Sequence, residues 1–316
     1  MARGRRRQRG RAVDGILLLD KPQGLSSNEA LQIVKRMYGA AKAGHTGSLD
    51  PIATGVLPLC FGEATKFSQF LLNADKRYLT EISLGVRTDS GDADGEVLEE
   101  KPVPALDLED IEEALMAFRG EIEQVPSMFS AIKHQGQPLY KLARQGIEVE
   151  REARAVTIFE NRIERFEGDT LTLFVHCSKG TYIRTIAEDL GQALGCGAHV
   201  TALRRLSVGP FASERVHSIE ALEAVRDRGG HAALDELLLP LEAAVMQWPE
   251  VVIPEASTWF MHKGQPVQVA HAPTDGQVRL VERVASAPGE PEQRRFFGVG
   301  EVLDDGRIAP RRLVAR

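Results

Sequence analysis

Gly44-His45-Thr46-Gly47-Ser48-Leu49-Asp50-Pro51-Ile52-Ala53-Thr54-Gly55 is the stretch on which the reading of this chain turns. It gathers a histidine, an aspartate and several hydroxyls between three glycines and a proline. Pro51 disfavours a helical conformation at Asp50 and so restricts where its carboxylate points. The glycines let a ligand or another backbone come close. Two readings fit. Either Asp50 closes a turn by bonding its own amides, or the loop presents a catalytic carboxylate. Residues 43–56 are expected to form a Gly-punctuated loop. The spacing matches neither a Walker loop nor a dinucleotide fingerprint.

Outward from this loop, the apolar run 16–19 reads as a strand entering the turn Asp20-Lys21-Pro22-Gln23-Gly24. Ser26 with Glu29 is a capping-box pattern; Ala30, Ile33, Val34 and Met37 follow at helical spacing, and Gly39 stops the helix. Tyr78, Thr80, Ile82 and Leu84 alternate as on one face of a strand. Asp107 caps a helix bearing Ile111, Ala114, Leu115 and Phe118, ended by Gly120. Residues 125–151 change character, being rich in Lys, Arg, Gln and Gly, and read as an insert. Segments 156–166 and 170–177 resemble paired strands, and Tyr182, Ile186, Leu190 and Ala193 mark another helix. Trp248-Pro249 reads as a boundary. Beyond it come strand patterns at 251–253, 267–269, 278–281 and 296–302, with Asp305-Gly306 as a hairpin turn. Strands and helices in this irregular order indicate an α+β fold rather than a doubly wound parallel sheet.

Composition narrows the function. The chain has 316 residues, is 43% hydrophobic and 27% charged, and can bury a real core. No apolar run approaches the roughly 20 residues of a membrane helix. The start is Arg-rich without an apolar core and is not expected to be a secretory signal. Three scattered cysteines, Cys60, Cys177 and Cys196, suit a reducing cytosol rather than a disulfide framework. No His/Cys cluster indicates zinc. Asp92-Ala93-Asp94-Gly95 departs from a calcium loop at Ser90 and Lys101, the first and twelfth positions. The net charge is −6, although Arg3, Arg5, Arg6, Arg7, Arg9 and Arg11 concentrate six positive charges in one arm. Such an arm is either solvated or binds nucleic acid.

With Asp20-Lys21-Pro22, Ala64-Thr65-Lys66, Lys76-Arg77-Tyr78, Gly180-Thr181-Tyr182-Ile183-Arg184-Thr185 and Leu203-Arg204-Arg205 in the same order, the Asp50 loop resembles the signature of the TruB family, the tRNA pseudouridine-55 synthases. The ending, with Asp304-Asp305-Gly306 and Ala309-Pro310-Arg311-Arg312, resembles that family's PUA-like module. The resemblance runs from Val13 onward and leaves out the Arg-rich arm. It implies a mixed, mainly antiparallel sheet with flanking helices and a small C-terminal β-rich domain. The expected division is an arm at 1–11, a catalytic domain at 12–248 with an RNA-gripping insert near 125–151, and a PUA-like domain at 249–316.

The implied activity is isomerisation of uridine 55 in the tRNA T loop to pseudouridine, in the cytoplasm, by a monomer with no membrane association. Detaching uracil at N1 and rejoining it at C5 needs no redox partner or group donor, so no cofactor and no metal are expected. The base has to leave its stack to be reached. The resemblance assigns Asp50 as the essential carboxylate, acting at C1′, at C6 or through a glycal. Arg184 becomes its partner, and Tyr78 a stacking residue and proton acceptor. Lys21, His45, Lys66, Tyr182 and Leu203 become substrate-binding. The plainer alternatives are an exposed helix arginine for Arg184, a core tyrosine for Tyr78 and a core leucine for Leu203. Two rival functions share these features: a guide-RNA-dependent relative with the same Asp loop, and a non-catalytic tRNA-binding protein. The insert segments Pro126-Ser127-Met128-Phe129-Ser130-Ala131 and Gly136-Gln137-Pro138-Leu139-Tyr140 resemble the stand-alone type.

Overall fold

A computed structural model describes residues 10–284 and 293–315. The arm arginines Arg3, Arg5, Arg6, Arg7 and Arg9 lie outside the described residues. In chain order the body contains β1 (Gly15–Lys21), α1 (Ser27–Met37), β2 (Ala43–His45), β3 (Thr54–Phe61), α2 (Ser68–Leu72), β4 (Lys76–Leu84), β5 (Val86–Thr88), β6 (Val97–Glu100), α3 (Leu108–Met116) and β7 (Gly120–Gln124). It continues through β8 (Lys133–His134), β9 (Gln137–Pro138), α4 (Leu139–Ala143), β10 (Arg154–Glu167), β11 (Thr170–Cys177), α5 (Ile183–Ala193), β12 (Ala198–Val208), β13 (Phe211–Ala212) and α6 (Ile219–Asp235). The last part holds β14 (Glu250–Ile253), α7 (Glu255–His262), β15 (Gln277–Val284), β16 (Gln293–Val302) and β17 (Ile308–Leu313).

The main sheet runs β1-β3-β12-β4-β11-β10-β7, with β2 added on β3 and β13 on β12. Every pairing in it is antiparallel except β3 with β12. A second sheet, β14-β15-β16-β17, forms the C-terminal module. The α+β reading therefore holds, with a mixed sheet.

The two halves of the main sheet are covered differently. β1 and β3 are buried on both faces, as strands flanked by two layers must be. Leu17, Leu19, Leu57 and Leu59 meet α1 and α6 on one side. Ile16, Leu18, Val56 and Cys60 meet Phe67, Leu71, Val245 and Val299 on the other. On β4, burial strictly alternates from Lys76 to Leu84. Its inner face, with Leu171, Leu173, Val175 and Leu203, packs under α3 and α5.

Several expectations are corrected. The stretch 43–56 is loop only in its middle, because Ala43–His45 and Thr54–Phe61 pair as strands. Gly55 and Pro58 mask this strand in the sequence. Gly55 stands at φ +101°, where a Cβ would come 2.2 Å from the carbonyl oxygen of Arg205, so only glycine lets β3 and β12 approach. Val267–Val269 forms no strand; Val267 makes a single bridge to Ile308. Tyr182 is not a helical residue but the extended N-cap of α5. The capping box on α1 is present, with Glu29 N donating to Ser26 Oγ at 3.2 Å and Ser26 N donating to Glu29 Oε2 at 2.9 Å.

Candidate active site

The Asp50 loop is fixed from several sides. Ser27 Oγ, just inside α1, accepts from Leu49 N at 2.7 Å. Gly24 N donates to Pro51 O at 2.8 Å, and Ala53 N donates to Asp50 O at 3.0 Å. Lys21 is fully buried; its ammonium bonds the carbonyls of Pro22, Leu25 and Pro51. Burial lowers its pKa to about 8. It braces the turn beneath the loop.

Arg184 rises from the first turn of α5 and is 4% exposed. Its Nη2 stands 3.0 Å from Asp50 Oδ2, and its Nε lies 3.7 Å from Asp92 Oδ2. It also donates to Ser90 O at 2.7 Å and to Phe129 O at 2.9 Å. One guanidinium therefore joins the Asp50 loop, the 90–92 turn and the root of the insert, using the fixed fork of donors that arginine supplies. Asp92 is held by Ser90 Oγ at 2.6 Å. Burial raises the Asp50 pKa above the ordinary carboxylate value. Arg184 opposes that shift, Asp92 adds to it and Lys21 opposes it.

Asp50 and Arg184 separate two depressions. The first, about 410 Å³, is lined by Asp50, Lys76, Tyr78, Tyr182, Leu203 and Arg205, within the usual small-molecule range of about 300–1,000 Å³. The second, about 780 Å³, opens past His45, Asp89, Tyr140 and Arg144. In it the Arg144 guanidinium lies 5.7 Å from the Tyr140 ring centre. Tyr78 is 8% exposed and Leu203 likewise, so each is both core residue and cavity wall. His45 Nδ1 is buried without a hydrogen-bond partner, and burial lowers its pKa. Among the described residues, no group of three or more His, Cys, Asp or Glu is arranged to hold a metal.

Of the residues singled out from sequence, the fold brings Asp50, Tyr78, Arg184, Tyr182 and Leu203 to the first cavity. His45 lines the second, and Lys21 lies beneath the loop. Lys66 stands apart. Its ammonium pairs with Glu63 at 2.7 Å and bonds Leu313 O at 3.0 Å, tying the body to the C-terminal module. Three residues of the site had no role assigned from sequence. Asp92 reads in the sequence only as part of a degenerate calcium-loop pattern. Gln124 bonds both the N–H and the carbonyl of Tyr182. Arg205 is 1% exposed and lies two residues after Leu203 on β12, a spacing that puts both on one face.

A mixed, mainly antiparallel sheet carrying a carboxylate–guanidinium pair at a cavity mouth, followed by a small β-rich module, is the pseudouridine synthase architecture. Two solved structures share the fold. An H/ACA RNP bound to a substrate RNA containing 2′-deoxyuridine gives a TM-score of 0.69 at 22% identity, covering 96% of this chain and 85% of that one. A Cbf5-Nop10-Gar1 complex gives 0.69 at 24%, covering 95% and 84%.

Family models place the chain more closely. Residues 35–183 match the N-terminal domain of the TruB family pseudouridylate synthases, 184–246 the tRNA pseudouridylate synthase B C-terminal domain, and 249–314 the pseudouridine synthase II TruB C-terminal model. The tRNA pseudouridine synthases B of Vibrio cholerae and Serratia proteamaculans are 56% and 54% identical to it, each over 98% of both chains. That of Coxiella burnetii is 54% identical over 97% of this chain and 96% of its own. This chain belongs to the TruB family of pseudouridylate synthases and is an isomerase.

Proposed function

We propose that the chain converts uridine 55 in the T loop of tRNA to pseudouridine, acting as a monomer in the cytoplasm without guide RNA, protein partner or cofactor. The observation that carries this reading is Asp50, held on a braced loop 3.0 Å from buried Arg184 at the mouth of a cavity walled by Tyr78. The names of the curated relatives support tRNA as the substrate. The uridine swings out of the RNA into the 410 Å³ cavity, since the atoms to be exchanged are out of reach in a stack. There the C1′–N1 bond breaks, C1′ joins C5, the C5 proton leaves and N1 gains one. Asp50 starts the reaction as a carboxylate, at C1′, at C6 or by drawing a proton toward a glycal; all three need it ionised. The neighbouring guanidinium favours that form.

Tyr78 and Leu203 face the base, and Tyr182 closes the cavity at the start of α5. His45 occupies the second depression, where the strand left by the departing nucleotide passes. Lys21 acts through the loop and Lys66 through the module contact, neither on the RNA itself. Residues 12–248 form the catalytic domain, with 125–151 gripping RNA through groups such as Tyr140 and Arg144. Residues 249–316 form the PUA-like RNA-binding domain, and the arm arginines before Arg11 contact phosphates, whereas Arg11 itself is held by Asp235 and the Tyr38 carbonyl.

The test is release of tritium from a bare T-stem-loop transcript carrying [5-³H]uridine. Release that disappears when the loop uridine is replaced is the expected result. Activity only with an added guide RNA would overturn the stand-alone reading. Tight binding with no release under any condition would overturn the enzyme reading for this substrate.

A further inference from the structure

Arg205 is the largest fully buried side chain among the described residues. Buried charges are normally matched by an opposite charge, because desolvating a lone ion costs several kcal/mol. Arg184 obeys this rule. Arg205 does not: among the described residues no carboxylate pairs with it, and the group that supports its charge is the hydroxyl of Tyr78. Its Nε donates to Val56 O at 2.8 Å and its Nη2 to Gly47 O at 3.2 Å.

The register explains the meeting. Arg205 and Tyr78 are directly opposite each other on antiparallel β12 and β4, so their side chains share a face with Cβ atoms about 4.5–5.5 Å apart. A β-bulge follows at once between Arg205 and Ser207, and bulges re-aim side chains next to active sites. On its other edge, Arg205 pairs with Gly55 of β3, at the far end of the Asp50 loop from Gly47. A single guanidinium thus holds both ends of that loop and the phenol across the cavity.

We propose that Arg205 is a positioning residue that orients the Tyr78 hydroxyl toward the flipped base and supplies its counter-charge while the phenol has given up its proton. A guanidinium only donates hydrogen bonds, so the Tyr78 oxygen accepts from it and turns its own hydrogen into the cavity. In the C5-linked intermediate, the hydroxyl gives its proton to N1 and becomes a phenolate beside Arg205. The C5–H bond then breaks, its electron pair closes the C5–C6 double bond, and the C6–N1 π pair returns to the protonated N1. The proton passes to the phenolate oxygen, restoring Tyr78. An isolated buried phenol resists ionising; one held against an unpaired guanidinium has its counterion in place beforehand. The proposal rests on the pseudouridine reading for the chemistry, while the Arg205–Tyr78 coupling can be measured without RNA.

The chain has four tyrosines, so ¹³Cζ-tyrosine labelling of the full protein gives a short spectrum in which Tyr78→Phe assigns the Tyr78 signal. Arg205→Gln keeps donors for the carbonyls but removes the charge; Arg205→Lys keeps the charge but cannot reach all three partners. Titration of the Tyr78 signal is expected to move to higher pH in Arg205→Gln, with Arg205→Lys between it and the unaltered protein. Single-turnover tritium release at saturating RNA is expected to fall about 100-fold in Arg205→Gln, within the usual range for a lost proton-transfer group, while RNA affinity stays within about threefold. Arg205→Gln on a Tyr78→Phe background should lose nothing more, because both act through one hydroxyl. An unmoved Tyr78 signal, or losses that multiply in the double variant, would overturn the proposal. Should Arg205→Gln fail to fold, Arg205→Lys decides: unaltered signal and rate refute it, and a shifted signal with a slowed rate sustains it. A protein inactive on every RNA but with a coupled Tyr78 signal would refute the function and keep the pairing.

Discussion

Two buried arginines flank the same cavity and are built on opposite terms. Arg184 sits on a helix among two carboxylates and two carbonyls. Arg205 sits on a strand with two carbonyls and a phenol. Around Arg184 the positive charge is more than matched by carboxylates, and its contacts make that corner a rigid joint between loop, turn and insert. Around Arg205 a positive charge is left over and faces the cavity. Identical side chains therefore do different electrostatic work, according to whether the fold supplies a matching carboxylate. Lys76 shows the surplus independently: its pKa is lowered to about 8 by burial first and by Arg205 next.

The sharpest way to separate the two corners is to remove the group proposed to react at each. Asp50→Asn keeps the shape of the Arg184 corner without the charge, and turnover is expected to fall more than about 1,000-fold, roughly 4 kcal/mol of barrier, with RNA binding retained in a filter assay. Residual turnover within tenfold of the unaltered protein would remove Asp50 from the chemistry. Tyr78→Phe does the same at the Arg205 corner. Loss of the hydroxyl should cost about 10²–10⁴-fold in single-turnover rate, whereas near-normal turnover would leave Tyr78 a stacking surface only.

Stability separates them next. Gly55→Ala forces a Cβ into the Arg205 backbone and should cost about 2–3 kcal/mol in thermal or denaturant unfolding, slowing catalysis through the Arg205 corner while Arg184 keeps its contacts. A variant as stable as the parent would mean that β3 and β12 can move apart freely.

Acidity probes the Arg184 corner alone. The folded-state pKa of Asp50 is raised, so activity should fade with acid while the pH is still above the ordinary aspartate value. The same shift means that ionised Asp50 costs folding stability at neutral pH and that the cost vanishes below the unfolded-state pKa. Melting profiles of Asp50→Asn and its parent should accordingly differ more as pH rises from about 4; a gap that widens in acid would reverse the sign. The smallest effect belongs to Lys66→Ala, remote from both corners. It should leave the rate unchanged and cost less than about 1 kcal/mol, as partly exposed ion pairs do. A large rate loss would return Lys66 to the RNA.

These two corners were unequally legible in the sequence. The Arg184 corner announces itself locally: a Pro-stiffened loop, a Gly-Thr-Tyr helix start and ordered family motifs. The Arg205 corner depends on register between strands more than 120 residues apart, which no local period encodes. β12 also lacks the clean alternation that reveals β4, because Arg205 and Ser207 occupy buried positions where apolar residues are the norm. β3 was hidden for the opposite reason, since Gly55 and Pro58 punctuate a strand buried on both faces. Lys66 is ambiguous in the sequence, because a basic residue in a family motif is as compatible with bracing a domain contact as with holding a phosphate.

That contact has a bearing on how the protein is made. Lys66 bonds Leu313 O and Glu63 accepts from Ala315 N, across separations of 247 and 252 residues. Beside them, Phe67 packs on Phe296 with ring centres 5.3 Å apart, and Val299 completes the core layer under β1 and β3. While the chain is being synthesised from its N-terminus, that layer stays open until residues 296–315 emerge, and Phe67 lacks its Phe296 cover until then. Closure of such distant contacts is slow, so the nascent body is most vulnerable to aggregation just before its last strands arrive.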